Sequence, residues 1–566
     1  MEMFIEILIV IGWVIVTAIV IYDKYIQREH QLLINYPLIG RFRYFFEALR
    51  EPFRQYFGDE DFYESKDKVD WVYDAAHGHI GYASFSPTQP QSNPKFLIKH
   101  ANAPLNDDEV DQGFSIEFGK KRKYPFRSKS IIGRSAMSDG AISPEGTRAF
   151  TKGAKDGNFP INTGEGSLTT NFFFTHRKHD NSYMTKVRIT GFDKTIFAII
   201  KSITNKHNAI KYFGNKLLAK HEVDTYIFDN NTLEFYRPNW NAPLENFPKE
   251  VPEDMPDITF QMSSGLYGVR DEEGNFDPIR YQKTLSFCRM TEIKLAQGAK
   301  QTGGKLAKEK VSESIAYFRG VKANEKLISP NRFPYASSIE ELFDFIATLQ
   351  KLSHKPVGIK IVISSTQSIE PYAIEMKRRK ENNIAGIPDF INIDGGDGGS
   401  ATAPLFLMDR VGFHVKDAIH IVNNILEEYK VRDEVKLIAG SKILTPDDVV
   451  ISLALGADFI NIGRGFMMSG GCIRARMCSG NGSHQCPVGL ATADKKLRSA
   501  YLVNKNAIQI TNYHQSLLDG VKVVLAVMGL KDTTLLTKRH LTFIDRNGFI
   551  YTDINRYLNK KTANIV

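Results

Sequence analysis

LIAGSKILTPDDVVISLALGADFINIGRG, residues 437–465, is the stretch that decides the fold. The apolar run Leu437–Ala439 reads as a buried strand ending at Gly440 and Ser441. Thr445 is a predicted helix N-cap, and Pro446 takes the first helical position, where a missing N–H is harmless. The helix predicted over Pro446–Leu455 leads to a second strand, Asp458–Ile462, which ends at Gly463-Arg464-Gly465. Two successive strand ends then offer bare backbone N–H groups beside a guanidinium, which is the chemistry of an anion site. Either half alone would be an ordinary glycine turn. Together, at this spacing, they predict a phosphate held by Gly440, Ser441, Gly463 and Arg464.

The same alternation extends outward. Strands are predicted at Ser130–Ile132, Ile258–Phe260, Met290–Leu295, Val357–Ile363, Phe390–Ile393 and Val435–Ile438, and helices at Ser338–Lys351 and Val415–Tyr429. Continuous apolar strands separated by helices mean a parallel sheet covered by helices. About eight such units over ~400 residues fit a closed (β/α)8 TIM barrel, whose strand-end loops gather at one face and whose phosphate site commonly follows the last two strands. A second glycine loop follows the strand at 390–393: Asp394-Gly395-Gly396-Asp397-Gly398-Gly399-Ser400. Glycines there let the backbone approach a flat ring or a substrate closely, although a surface turn would use them too. The strict dinucleotide spacing is not met.

The chain has 566 residues and 42% hydrophobic content, enough for a large core. A net charge of +9 is modest for this length and is not gathered into long basic runs. Without zinc-finger spacing or a basic stripe with aromatics, no nucleic acid is expected as a partner. Part of the excess is available to an anionic lipid surface or an acidic electron carrier. The four cysteines, Cys288, Cys472, Cys478 and Cys486, are too few for a disulfide framework. Ile7–Tyr22 is an unbroken apolar run that nearly reaches bilayer length with Met3–Ile5 added. The acidic Glu2 and Glu6 before it do not suit a cleaved signal peptide, and Lys24 and Arg28 after it predict a single-pass membrane protein with its bulk on the cytoplasmic side. The expected organisation is a transmembrane anchor over 1–23, a small helical cap and irregular region over 24–127, the barrel over 128–530, and a polar tail over 531–566.

Further segments carry a family resemblance: SAMSDGAISPEG (135–146), INTGEGS (161–167), TEIKLAQGAKQTGGKL (291–306), LISPNRFPYASSIEEL (327–342), IDGGDGGSATAP (393–404) and GCIRARMCSGNGSHQCPVGLAT (471–492). In this order, over roughly residues 128–500, the chain resembles the FMN-binding domain of glutamate synthase and its stand-alone relatives, and the 437–465 stretch is similar to the phosphate end of FMN-dependent barrels. The resemblance implies FMN at the C-terminal mouth, with Ala136, Met137 and Ser138 touching the flavin through their backbone, Gln261 and Lys360 reaching the ring, and Asp394, Gly395 and Gly396 beside it. A lysine near the flavin makes chemical sense, because the reduced ring carries negative charge. For the substrate it implies Glu165, Lys294, Gln297, Lys300 and Arg319, with cations facing the two carboxylates of 2-oxoglutarate. Arg319 could equally be a helix-surface arginine.

Cys472-x5-Cys478-x7-Cys486-Pro487 directly follows the phosphate loop. Three thiolates suit a three-iron cluster better than a four-ligand zinc site, and the resemblance implies a [3Fe–4S] cluster. The second gap is longer than the family's, and its insert adds His484 as a competing ligand, so zinc or no metal remain alternatives. Cys288 reads as a core thiol. The implied reaction is reductive formation of L-glutamate from 2-oxoglutarate and ammonia through 2-iminoglutarate, with electrons passing from the cluster to FMN. No cysteine precedes Cys288 to serve glutamine hydrolysis, and no pyridine-nucleotide motif is present. Ammonia and electrons are therefore expected from outside, the latter from a ferredoxin or a membrane electron donor. The competing readings are another FMN-barrel oxidoreductase or isomerase acting on a different amino, imino or oxo acid, and a non-catalytic membrane electron relay.

Overall fold

The computed structural model describes residues 2–49, 66–79, 95–172, 184–187, 195–196, 199, 225–229, 232–238, 251–298 except 254, 303–478 except 401–402, 405–406, 408–409 and 476, and 485–554 except 546. Eight parallel strands close a barrel: β1 (Ile132–Arg134), β2 (Ile161–Asn162), β3 (Ile258–Met262), β4 (Met290–Lys294), β5 (Val357–Ile361), β6 (Phe390–Asp394), β7 (Lys436–Gly440) and β8 (Phe459–Ile462). Each pairs with its neighbour in sequence, and β8 returns to β1 with Ile462 opposite Arg134. The predicted (β/α)8 fold is the one observed. The helices over Ile339–Ser353, Val415–Glu428 and Pro446–Ala454 match their predicted spans closely, because each carries an apolar stripe, and the first is also capped by Ser338, which accepts from Glu341 N.

The N-terminal end of the barrel is plugged by a hairpin, Ile116–Phe118 with Phe126–Ser128. Its buried Phe118 meets Phe390 and Phe459 edge-on, with ring centroids 5.7 and 5.6 Å apart. The function of the barrel is thereby confined to its other, C-terminal face. The crossover from β2 to β3 departs from the general strand–helix alternation, since it carries a three-stranded antiparallel sheet of Met184–Val187, Thr232–Pro238 and Thr225–Asp229. The helix Val503–Met528 packs on the helix Pro144–Gly157. Thr511 Oγ1 donates to the Gly153 carbonyl at 3.0 Å, and a Cβ on Gly153 would stand 2.7 Å from Ile510. The helix Lys66–Ala76 lies on the same long helix, with Trp71 edge-on to Tyr513 at 6.0 Å. After Thr533, where the sequence is indecisive, Leu541–Ile544 pairs antiparallel with Lys95–Ile98, so segments from both ends of the chain meet in one sheet.

Candidate active site at the C-terminal mouth

Alternation along a strand sends every second side chain inward. In β2, β3, β4 and β6 those positions carry Asn162, Gln261, Glu292 and Asn392, all buried. Asn162 Nδ2, Gln261 Nε2 and Asn392 Nδ2 donate to the Glu292 carboxylate at 2.9, 2.6 and 2.6 Å. Strands β2, β4 and β6 are not neighbours, so these bonds cross the barrel interior. A buried carboxylate is tolerable only when its oxygens are satisfied in this way. Glu292 was missed in the sequence, although it stands two residues from Lys294 on the same face of the strand.

One level higher, Lys294 and Lys360 are register partners on β4 and β5. Lys294 Nζ donates to Glu165 Oε2 at 3.1 Å and to Gln297 Oε1 at 3.0 Å, and Ser263 Oγ donates to the same Glu165 oxygen at 2.9 Å. Lys360 Nζ lies 3.2 Å from Asp394 Oδ2. Burial alone would lower the Lys360 pKa, but Asp394 and Glu292 outweigh it and hold the pKa above its usual value, so the ammonium stays charged. Asp394 also accepts from Gly298 N and Ser441 Oγ, both at 3.1 Å. The sequence-predicted Glu165, Lys294, Gln297, Lys360, Asp394 and Ser441 therefore come together at one mouth. Gln297 Nε2 reaches the Gly399 carbonyl at 3.3 Å, and a Cβ on Gly399 would stand 3.0 Å from Arg464 Nη2, which ties the second glycine loop to the phosphate end. Lys300 lies outside the described residues.

At the phosphate end, Ser441 and Lys442 have φ of 112° and 46°. Two consecutive non-glycine residues in that region store strain, a pattern that clusters at ligand sites. Gly440 and Gly463 are uncrowded: an added Cβ would meet its nearest heavy atom at 3.6 and 3.8 Å, ordinary van der Waals contact. Gly395 and Gly396 differ: a Cβ there would lie 2.3 Å from Asp397 Oδ1 and from the Gly412 carbonyl, so packing alone demands glycine. Thr445 stands at the N-cap, but its hydroxyl donates to Asp448 Oδ2 at 3.2 Å instead of accepting from the helix. Asn392 Oδ1, buried beneath this mouth, has no hydrogen-bond partner.

The loop Ser135–Ser138 follows β1. Beneath it Arg134 is fully buried, donating through Nη1 to the carbonyls of Ser135 and Met137 at 3.0 and 3.3 Å and lying 5.3 Å over the Phe150 ring. Burial lowers the pKa of this arginine to about 9. Its role is to prop the loop that carries Ala136, Met137 and Ser138. Arg319, expected at the substrate, is buried behind that loop: Nη2 donates to the Asp139 carbonyl at 3.1 Å, and the guanidinium lies 5.3 Å over Tyr267.

Cys472, Cys478 and Cys486 are free thiols, as is the buried Cys288. Burial, then the neighbouring Cys478 and Cys486, raise the Cys472 pKa to about 12, while the Arg474 amide donates to its sulfur at 3.4 Å. Among the described residues no group of three or more His, Cys, Asp or Glu is arranged to hold a metal ion. His484 lies outside them. Lys310, another residue missed in the sequence, is buried beside the loop and donates to the carbonyls of Cys478 and Ala491 at 2.9 and 3.2 Å.

Fold and mouth together define a (β/α)8-barrel protein with a charged site at its C-terminal face. The chain belongs to the glutamate synthase family: residues 88–531 match the conserved region in glutamate synthase. It is 29% identical over 568 residues to the glutamate synthase large subunit-like protein YerD of Bacillus subtilis strain 168, covering 93% of this chain and 92% of that one. It is 31% identical to the archaeal-type NADPH glutamate synthase of Thermotoga neapolitana over 51% of this chain and 54% of that one. It is 33% identical to the ferredoxin-dependent glutamate synthase of Cyanidium caldarium over 49% of this chain and 16% of that one. The chain thus spans about half of the archaeal-type relative and a small part of the ferredoxin-dependent one. Among solved structures it is similar to the flavin-binding domain of baker's yeast flavocytochrome b2, at 11% identity and a TM-score of 0.39 over 85% of this chain and 79% of that one.

Proposed function

We propose that this chain is a membrane-anchored, FMN-dependent oxidoreductase that forms L-glutamate from 2-oxoglutarate and ammonia through 2-iminoglutarate. The observation that carries the reading is the pair of register-matched lysines, Lys294 and Lys360, inside the mouth of the barrel. Buried ammonium groups are costly unless they serve anions, and each has more N–H donors than Glu165, Gln297 and Asp394 take up. Lys294, with Glu165 and Gln297 fixing its position, would bind a carboxylate of the dicarboxylic substrate. Lys300 and Arg319 belong to the same proposed set.

The residues present fit FMN. Gly440, Ser441, Gly463 and Arg464 would hold its phosphate, where uncrowded glycines and strained backbone meet. Ala136, Met137 and Ser138 would line the ring, with Asp394, Gly395 and Gly396 beside it, while Lys360 and Gln261 would reach it and the orphaned Asn392 Oδ1 would offer an acceptor. FMN, when bound, supplies the hydride that converts an imino acid to an amino acid. The protein's part is to hold the substrate carboxylates, keep Lys360 charged and exclude water.

A [3Fe–4S] cluster on Cys472, Cys478 and Cys486 is proposed as the electron entry, with a ferredoxin or a membrane carrier as donor. The donor chemistry supports it: burial, then the neighbouring Cys486, raises the pKa of Cys472 and of Cys478, a penalty that is relieved when a metal takes the sulfurs as thiolates. Lys310, with no carboxylate in ion-pair range among the described residues, supplies the compensating charge. The helix Glu2–Ile21 and its continuation to Ile26 are proposed as the anchor, since the apolar window Ile9–Ile26 is almost wholly exposed.

The test is anaerobic incubation of FMN- and iron-loaded protein with 2-oxoglutarate, ammonium and a reduced low-potential donor. L-Glutamate should accumulate, dependent on all three. Fully loaded protein that forms none would reject the reading.

A further inference from the structure

A second apolar surface stands next to the N-terminal helix. In the helix Ile39–Ala48, IGRFRYFFEA, Ile39, Phe42, Phe45 and Phe46 are 70, 59, 56 and 58% exposed. Spaced three to four residues apart, they form one face. The opposite face is turned to the protein, where the Tyr44 ring lies 4.4 Å from that of His30. Large aromatics gathered on one exposed helix face are not the scattered apolar residues of an ordinary surface.

The position of this helix is fixed. Asp23, at the foot of the apolar N-terminal helix, is fully buried and accepts from Arg41 Nε at 2.9 Å, from Arg41 Nη2 at 2.6 Å and from Leu38 N at 3.0 Å. Leu38 is held at φ 64°, a strained value that this latch maintains. The exposed aromatic face is therefore locked to the point where the proposed span leaves the bilayer. Ile26, between the two helices in sequence, is also 60% exposed.

We propose that Ile39–Ala48 lies in the plane of the bilayer interface, with Ile39, Phe42, Phe45 and Phe46 among the acyl chains and Arg43 at headgroup level. The inference rests on the reading of the N-terminal helix as a span. An aromatic-rich amphipathic helix latched to the foot of a span has the chemistry of an interfacial helix, and a phospholipid bilayer is the partner continuous with it. The seat also orients the cysteine loop. Asn35 Nδ2, between the two helices, donates to the carbonyl of Pro487, next to Cys486, at 2.7 Å, and Tyr73 Oη donates to that of Cys472 at 2.7 Å. The loop is thereby held on the membrane-facing side of the barrel, where a donor moving along the bilayer would meet it.

The test places a nitroxide on the full-length protein in phosphatidylcholine nanodiscs, at Phe46→Cys, at Trp13→Cys within the span, and at Ile384→Cys as an exposed reference. Collision with oxygen is compared with collision with a water-soluble nickel chelate, and signal from the chain's own cysteines is subtracted using the labelled parent. The labels at 13 and 46 should favour oxygen and the one at 384 nickel. If the label at 46 matches the one at 384 while that at 13 favours oxygen, the interfacial helix is wrong and the span stands. If the label at 13 itself favours nickel, the span fails and the interfacial helix with it.

Discussion

Glu292 is the residue on which the interior of the barrel turns. Three side-chain amides from three other strands point their N–H groups at it. In Glu292→Gln a new amide would face those donors, so at least one buried contact becomes donor to donor. The loss is expected to be about 2 kcal/mol, read as a lower denaturation midpoint with an unchanged slope. A change below about 0.5 kcal/mol would mean that the network is not formed. Lys294 acts through the substrate instead. Lys294→Ala leaves Glu165 with one partner fewer and should lower kcat/KM for the dicarboxylic acid about 100-fold, chiefly through KM, which corresponds to about 3 kcal/mol. An unchanged KM would place the substrate elsewhere. Lys294, Glu165 and Gln297 could be found because they lie in long motifs that resemble a family. Glu292 lies in one of those motifs too, but its role was not legible, because a lone acid in TEIK reads equally well as solvent-facing until barrel closure decides which side of the strand is inward.

At the level of elements, the helix Pro446–Ala454 is tied into the fold by one carboxylate. Asp448 is fully buried and accepts from Lys68 Nζ at 2.6 Å, Lys416 Nζ at 2.8 Å and Thr445 Oγ1 at 3.2 Å. Burial opposes its ionisation, but Lys416 and Lys68 prevail and bring its pKa down to about 2. Asp448→Asn would leave two ammonium groups without their shared anion and should destabilise the protein by about 3 kcal/mol. Because Asp448 also steadies Leu444 and Thr445, just after the strained Ser441 and Lys442, FMN retention should weaken in parallel. Differential scanning with and without added FMN reads both effects, and an unshifted transition would contradict them. Most strands and helices were legible because their periods are strong. The first barrel strand was expected at Ser130–Ile132 and lies at Ile132–Arg134. Ser128 Oγ donates to the Ser130 carbonyl at 2.6 Å and Ser130 Oγ accepts from Ile132 N at 3.0 Å, so a local side-chain turn delays the strand. The sheet inserted between β2 and β3 was not legible, because the aromatic alternation in TYIFD and TLEFYRP breaks the strand–helix rhythm that marks the barrel.

Across the whole molecule, buried histidines set the response to acid. His514, on the long helix against Phe159 and bonded to Ser130 Oγ at 2.8 Å, has its pKa lowered to about 3 by burial. Burial, with help from Lys538, lowers that of His420 to about 3 as well. Between pH ~6.5 and ~3 the unfolded chain binds protons at these sites that the folded chain refuses, so their share of stability is complete above ~6.5 and is lost as pH falls. Each should contribute a slope of about 1.4 kcal/mol per pH unit in that window. His514→Gln should flatten the fall in stability between pH 6 and 4, measured by urea unfolding; an unaltered slope would show that His514 titrates normally. The barrel and its mouth were legible at this scale from glycine placement and apolar runs. The pairing of Lys95–Ile98 with Leu541–Ile544 was not, because partners so far apart in sequence leave no local period.

The mouth framed by Gly440, Lys360 and Arg464 is proposed to hold FMN, and the visible absorption spectrum of the purified full-length protein, followed by acid release and identification of the chromophore, tests this. The protein should be yellow and release stoichiometric FMN, and Lys360→Met or Arg464→Ala should weaken its retention. Colourless protein that also fails to bind added FMN would contradict the claim outright.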